Sequence, residues 1–324
     1  MRRVLVVGGA GYIGSHCVRA LQDRGDHVVV LDDLSTGHEQ AVDCELVRGD
    51  VRDPAALDRV LGGQAFDAAI HLAAKALVGE SVQKPELYFD VNVGGTSALA
   101  HALVRHRVPA LVFSSTCAIY GTPESTPVDE LHPKRPESPY GMSKWLAEQV
   151  LAQVSASGRL STASLRYFNA CGAHPDGSLG ESHEPETHLI PLALQARLGQ
   201  RGALQVYGRD WPTPDGTCVR DYIHVMDLAE AHLAALDHLL GGGTSGAWNL
   251  GTGQGSSVLE VLQAIERQTG EPVPFHDAPR RPGDPAAVWA RPDKAMTELG
   301  WSARRTTLDE VIRDAWRWAR NPRF

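Results

Sequence analysis

The chain has 324 residues and a formal charge of −8, with 31 lysines and arginines scattered among 39 acidic residues and an isoelectric point near 5.9. No segment concentrates positive charge, so binding to a nucleic-acid backbone is excluded as a function class. Five cysteines (Cys17, Cys44, Cys117, Cys171, Cys218) without a Cys-x-x-Cys spacing argue against a disulfide framework and a structural zinc site, so no metal is expected and the thiols should be reduced.

The apolar run Val4–Val7 stops at Gly8-Gly9, too short for a signal peptide or a membrane span, which points to a cytoplasmic protein. Val4–Val7, Val28–Leu31 and Asp67–Leu72 alternate with the helical stretches Ile13–Arg24 and Pro54–Leu61. This rhythm predicts an α/β fold with a doubly wound parallel sheet of the Rossmann type. Between the first strand and helix lies Gly8-Gly-Ala-Gly11-Tyr12-Ile13-Gly14, where missing side chains let backbone amides approach a pyrophosphate. The next strand ends in Asp32-Asp33, where a carboxylate can accept both ribose hydroxyls; an acid there, with no arginine following, favours NAD over NADP. Asp50 and Val51 after the third strand can flank the adenine. The pattern continues through Leu111–Ser115, a helix containing Tyr140, and Ser164–Tyr167.

Phe113-Ser114-Ser115-Thr116 places small hydroxyls at the carboxyl edge of the sheet, where ligands of open α/β folds bind. Tyr140 and Lys144 share one helical face. A phenol titrates near pH 10, and a neighbouring ammonium favours its ionised form, so the pair reads as a general base with the cation lowering the tyrosine pKa. After Asn169 the texture turns rich in Gly, Pro and His. The expected division is a dinucleotide-binding domain at 1–172, rejoined by 219–246, and a smaller mixed α/β substrate domain at 173–218 and 247–324. Val219–Leu240 reads as a strand and helix returning to the main sheet, and Gly241–Gly246 as a surface loop.

Together the glycine turn, Asp32, Ser115/Thr116 and Tyr140-x-x-x-Lys144 resemble the extended short-chain dehydrogenase/reductase family along essentially the whole chain. The resemblance is closest to its sugar-nucleotide 4-epimerases. It rests on His71-Leu-Ala-Ala, Val78-Gly-Glu-Ser, Asn92-Val-Gly-Gly-Thr96, Leu165-Arg-Tyr-Phe-Asn169, Gly172-Ala-His-Pro175, His188-Leu-Ile-Pro191, Asp215-Gly-Thr, Val219 to Leu228, Asn249 to Gly253 and Arg280 to Asp284. What the resemblance implies is reversible inversion at C4 of UDP-glucose and UDP-galactose through a 4-keto sugar, with NAD bound throughout. It assigns catalysis to Tyr140, Lys144 and Thr116. It assigns cofactor contacts to Gly8, Gly11, Tyr12, Ile13, Gly14, Asp32, Asp33, Asp50, Val51, Ala73, Lys75, Asn92, Ser114 and Tyr167, with Tyr140 and Lys144. Arg220 and Arg281 would grip the nucleotide diphosphate, Asp284 the uridine ribose and Asn169 the phosphate or sugar, while His188 and Leu189 line the cleft and Tyr207 lies near the uracil. The family also implies a homodimer, here through helices around Val91–Arg105 and Tyr140–Val154.

Two departures bear on specificity. Cys117-Ala118 follows Thr116 where related dehydratases are expected to carry an acidic pair, and Val288 stands where some epimerases carry tyrosine, leaving room for a UDP-N-acetylhexosamine. The alternatives are another NAD-dependent sugar-nucleotide enzyme of the same fold, such as a decarboxylase or an epimerase for a different sugar, and a non-catalytic dinucleotide sensor, which has no use for Tyr140 and Lys144.

Overall fold

The computed structural model describes residues 1–281 and 283–324. Strands β1 (Arg3–Val7), β2 (His27–Asp32), β4 (Ala68–His71) and β5 (Ala110–Ser114) are mostly apolar, while β3 (Glu45–Arg48) and β6 (Ser161–Tyr167) mix apolar and polar residues, with β6 buried at nearly every position. That composition requires a sheet covered on both faces. Alternate residues divide between two cores: Val4, Val6, Val28, Val30, Ile70 and Val112 pack with Leu228 and Leu236 of the Val225–Leu240 helix. Leu5, Val7, Val29, Leu31, Leu111 and Phe113 face Leu57, Leu99, Leu103 and Leu151 on the other side.

Four short strands follow, β7 (Asn169–Cys171), β8 (Leu204–Tyr207), β9 (Val219–Arg220) and β10 (Tyr222–His224), then β11 (Gly246–Leu250), β12 (Ser256–Ser257), β13 (Phe275–Ala278) and β14 (Ala287–Val288). The main sheet is seven-stranded in the order β11-β6-β5-β4-β1-β2-β3, with parallel pairing throughout. The doubly wound expectation is met. Chain order reverses between β1 and β4, so a crevice opens at the carboxyl ends of these strands.

One expectation is corrected. The strand in Val219–Leu240 does not return to the main sheet: β9 pairs with β12 and β14, and β10 with β7. Only the helix returns, and the strand completing the sheet is β11, which begins at Gly246 where a loop was expected and continues into residues assigned to the other body. The reason is packing. Trp248 and Leu250 are wholly buried against the first core, while the two-residue β9 is half-buried and too short to span the sheet.

A third core joins Ile190 and Leu194, Val206, Val261 and Ile265, and Ile312 and Ala315. The helix Leu308–Arg320 in this core starts at Thr307, whose hydroxyl accepts from Glu310 N. No helix among the described residues is long and apolar enough to cross a membrane.

Candidate active site

The glycine turn separates packing from ligand access. Gly8 has φ +82°, and a Cβ there would lie 2.3 Å from Ala73 N; a Cβ on Gly14 would lie 2.1 Å from Gly8 O. The protein's own backbone demands both. Gly11 is different: a Cβ would meet only Gly8 O at 3.6 Å, an ordinary contact. Its bareness therefore serves an approach from outside, toward the amides of Tyr12, Ile13 and Gly14, which the first helical turn leaves without intrahelical acceptors. These residues fit a dinucleotide pyrophosphate. Gly14→Ala is expected to destabilise the fold, whereas Gly11→Ala should leave the melting temperature nearly unchanged and weaken NAD binding about tenfold or more, measured by fluorescence titration.

Asp32 closes β2, its two carboxylate oxygens accepting from Ala10 N and Leu34 N at 2.9 Å, which fixes its rotamer beside the turn. Asp33 is committed to Ser35 N at 2.8 Å, and Asp50 to the Arg52 guanidinium and amide, so neither carboxylate is free of local partners. Val51 is core. Asn92 lies in a π-helical stretch, Phe89–Gly94, and its side chain exchanges hydrogen bonds with both backbone groups of Lys75 at 2.9 and 3.0 Å while donating to Ser143 Oγ. It ties the Ala73–Lys75 loop to the Tyr140 helix. Tyr12 turns its hydroxyl onto Gly172 O at 2.7 Å.

The helix Pro139–Ala156 starts where Ser138 caps Gly141 N and Pro139 occupies the first turn. Gly141 is needed because a Cβ would stand 2.6 Å from Ala118 O. That close approach brings Tyr140 to Thr116, whose own hydroxyl accepts from Ala118 N. Lys144, almost fully buried, donates to Ser114 O at 2.8 Å and lies 4.9 Å from the Phe113 ring centre; Ser114 Oγ meets the Tyr167 hydroxyl.

The expected sign of the tyrosine shift is corrected in the protein without ligand. Burial pushes Tyr140 up to about 12, opposed by the Thr116 hydroxyl, and burial pushes Lys144 down to about 7, opposed by Glu148. Desolvation of the charged form is the largest cause for each residue and sets both directions.

Glu148 was not read from the sequence as a site residue. It lies four positions beyond Lys144 on the same face, accepts from Ser115 Oγ, and is gripped by Arg166 at 2.6–3.2 Å. Arg166 continues to the Tyr120 hydroxyl at 3.0 Å, and Tyr120 to Asn249. Tyr140, Lys144 and Glu148 at successive helical turns were the signal that could have found it.

On the other wall, Arg220 and Val288 are register partners in β9 and β14. The Arg220 guanidinium is 3.8 Å from Asp284. Arg281 stacks on Tyr207 with 3.9 Å to the ring centre. Val288 packs beside Cys117, Ile119 and Phe168, which sets this wall next to Thr116. Asn169 donates its amide to Asp221 O. His188 does not join this group through its Nδ1, which faces Glu181 and Glu186, and Leu189 packs into the third core.

Residues 4–251 match the model of the NAD dependent epimerase/dehydratase family. The chain belongs to this family. Among relatives of this epimerase/dehydratase chain, UDP-glucose 4-epimerase of Rhizobium leguminosarum bv. trifolii is 50% identical over 316 residues, covering 97% of this chain and 96% of that one. The crystal structure of UDP-glucose 4-epimerase from Brucella ovis in complex with NAD superposes with a TM-score of 0.95 at 48% identity, covering 98% of both chains. That of the Bifidobacterium longum enzyme in complex with NAD+ and UDP gives 0.93 at 41% identity and 99% of both.

Proposed function

We propose that the chain interconverts UDP-glucose and UDP-galactose by inverting the sugar at C4 with NAD held in place. One observation carries this reading. Tyr140, Thr116 and Lys144 assemble at the carboxyl edge of β5, between a glycine turn suited to a dinucleotide and a wall bearing Arg220 and Arg281.

Bound NAD supplies the oxidant for C4 and a positive charge near the phenol. The chain's residues do the rest. Tyr140 Oη takes the proton of the 4-hydroxyl as C4 is oxidised and returns it when C4 is reduced, while Thr116 Oγ1 holds the same oxygen. Lys144, fixed on Ser114 O and supported by Glu148, provides positive potential and a donor for the nicotinamide ribose. Arg220 and Arg281 hold the diphosphate with planar forks suited to bidentate contact. The hexose, held more weakly than its anchor, can then turn and be reduced on its other face. Asp32 takes the adenosine ribose, and Asp284 and Tyr207 the uridine. Cys117-Ala118 after Thr116 argues against dehydration, because neither side chain supplies the carboxylic acid and base that elimination of water would need there. Purified protein should convert UDP-galactose without added NAD; no conversion with the cofactor bound would overturn the reading.

Val288, small and buried beside Cys117, supports acceptance of UDP-N-acetylglucosamine as a second substrate. Val288→Tyr should suppress turnover of the acetylated sugar at least about tenfold while sparing UDP-galactose, measured by competition. We also propose a cytoplasmic homodimer through the Gly95–Arg105 and Pro139–Ala156 helices, the latter exposing Met142 and Leu146. Sedimentation of a monomer at micromolar concentration would contradict the dimer. The bodies are proposed to divide the labour, the main sheet holding NAD and the third core the sugar nucleotide.

A further inference from the structure

Before the Leu189–Arg197 helix, the side chains of Glu181, His183, Glu186 and His188 converge, with one ligating atom from each lying within 4.8 Å of the others. His188 Nδ1 is 2.6 Å from Glu181 Oε1 and 3.4 Å from Glu186 Oε1; His183 Nδ1 is 3.3 Å from Glu181 Oε1 and 3.5 Å from Glu186 Oε2. The two glutamate side chains are only 6% and 5% exposed. Despite this proximity, Glu181 Oε1 and His183 Nδ1 make no hydrogen bond among the described residues. The atoms are close, but their donor and acceptor directions do not meet.

A carboxylate oxygen buried to this degree without a well-aligned donor is costly, even with two imidazoles close by. Lone pairs converging on one point remove that cost if a cation sits there. Ligands about 2.0–2.1 Å from a tetrahedral zinc ion stand roughly 3.3 Å from one another, an edge matched by His183 Nδ1 to Glu181 Oε1 at 3.3 Å and by His188 Nδ1 to Glu186 Oε1 at 3.4 Å, while His188 Nδ1 to Glu181 Oε1 at 2.6 Å is shorter.

We propose that Glu181, His183, Glu186 and His188 form a binding site for a divalent ion of the zinc class. Two imidazoles and two carboxylates are a donor set suited to such an ion. A cavity of about 300 Å³ lined in part by His183, Glu186, Gln195 and Arg201 offers an entry path. The role is structural. Trp318 Nε1 donates to Glu181 O at 2.9 Å, and the Tyr12 ring stands edge-on to His183 with centroids 6.2 Å apart. An ion here pins the approach to the Leu189 helix between the phosphate turn and the carboxyl-terminal helix, away from Tyr140.

The test is zinc titration by calorimetry into chelator-treated, NAD-loaded protein. One Zn²⁺ per chain is expected, with Glu181→Gln and His183→Gln each weakening binding about tenfold or more. Absence of binding, or equal binding by wild type and the Glu181→Gln/His183→Gln double variant, overturns the proposal and leaves a metal-free network of histidine–carboxylate pairs. Because variants here can unfold, Co²⁺ is also added to wild type: intense visible bands of four-coordinate cobalt support the site, and the weak spectrum of six-coordinate cobalt overturns it. Both readouts are independent of epimerase activity.

Discussion

Tyr140→Phe is expected to lower kcat by about two to four powers of ten while leaving NAD content and melting temperature close to wild type. The phenol lies at the start of a helix capped by Ser138, and its oxygen meets the Thr116 hydroxyl, itself a site group, so removing that atom deletes a proton acceptor and little else. The pH profile gives a second readout. In the protein without ligand, burial holds the phenol up at about 12, so the ionised form is scarce near neutrality. Positive charge close by favours that form, and kcat/KM should rise with pH until the phenol is ionised. That rising limb should vanish in Tyr140→Phe. Turnover within about tenfold of wild type would assign the base elsewhere.

Arg166→Met is expected to destabilise the protein by about 3–5 kcal/mol, because it strands the Glu148 carboxylate in a site where both partners are about 5% exposed. Urea denaturation should show a lower midpoint with an unchanged slope. The double variant Glu148→Leu/Arg166→Met removes both charges, and much of the lost stability should return, since a buried pair balances its attraction against desolvation. Its activity should not return. Glu148 opposes the burial that lowers the Lys144 pKa, so removing it disfavours the ammonium on which the site depends. If Arg166→Met proved neutral in stability, the network beneath the site would be no support at all.

The glycine turn, Asp32 and the Tyr140 helix were legible because each depends on local chemistry: a helix start, a strand end, a spacing of four. The seventh strand was not. Gly246–Leu250 is marked as core only by where Trp248 ends up, and that is decided by its pairing with β6, 83 residues earlier in the chain. The burial of Tyr140 and Lys144 was not legible for a related reason, since spacing reveals a neighbour but not the loss of water around it. Glu148 and the convergence of Glu181, His183, Glu186 and His188 were not legible because charged side chains at short spacing read as solvated surface until the fold buries them against one another.

Most direct is a label experiment with UDP-galactose deuterated at C4, incubated with purified protein and no added NAD. The product should be UDP-glucose retaining deuterium at C4, with the same equilibrium mixture reached from either sugar. Loss of deuterium to solvent, or no interconversion, would contradict oxidation and reduction at one tethered carbon.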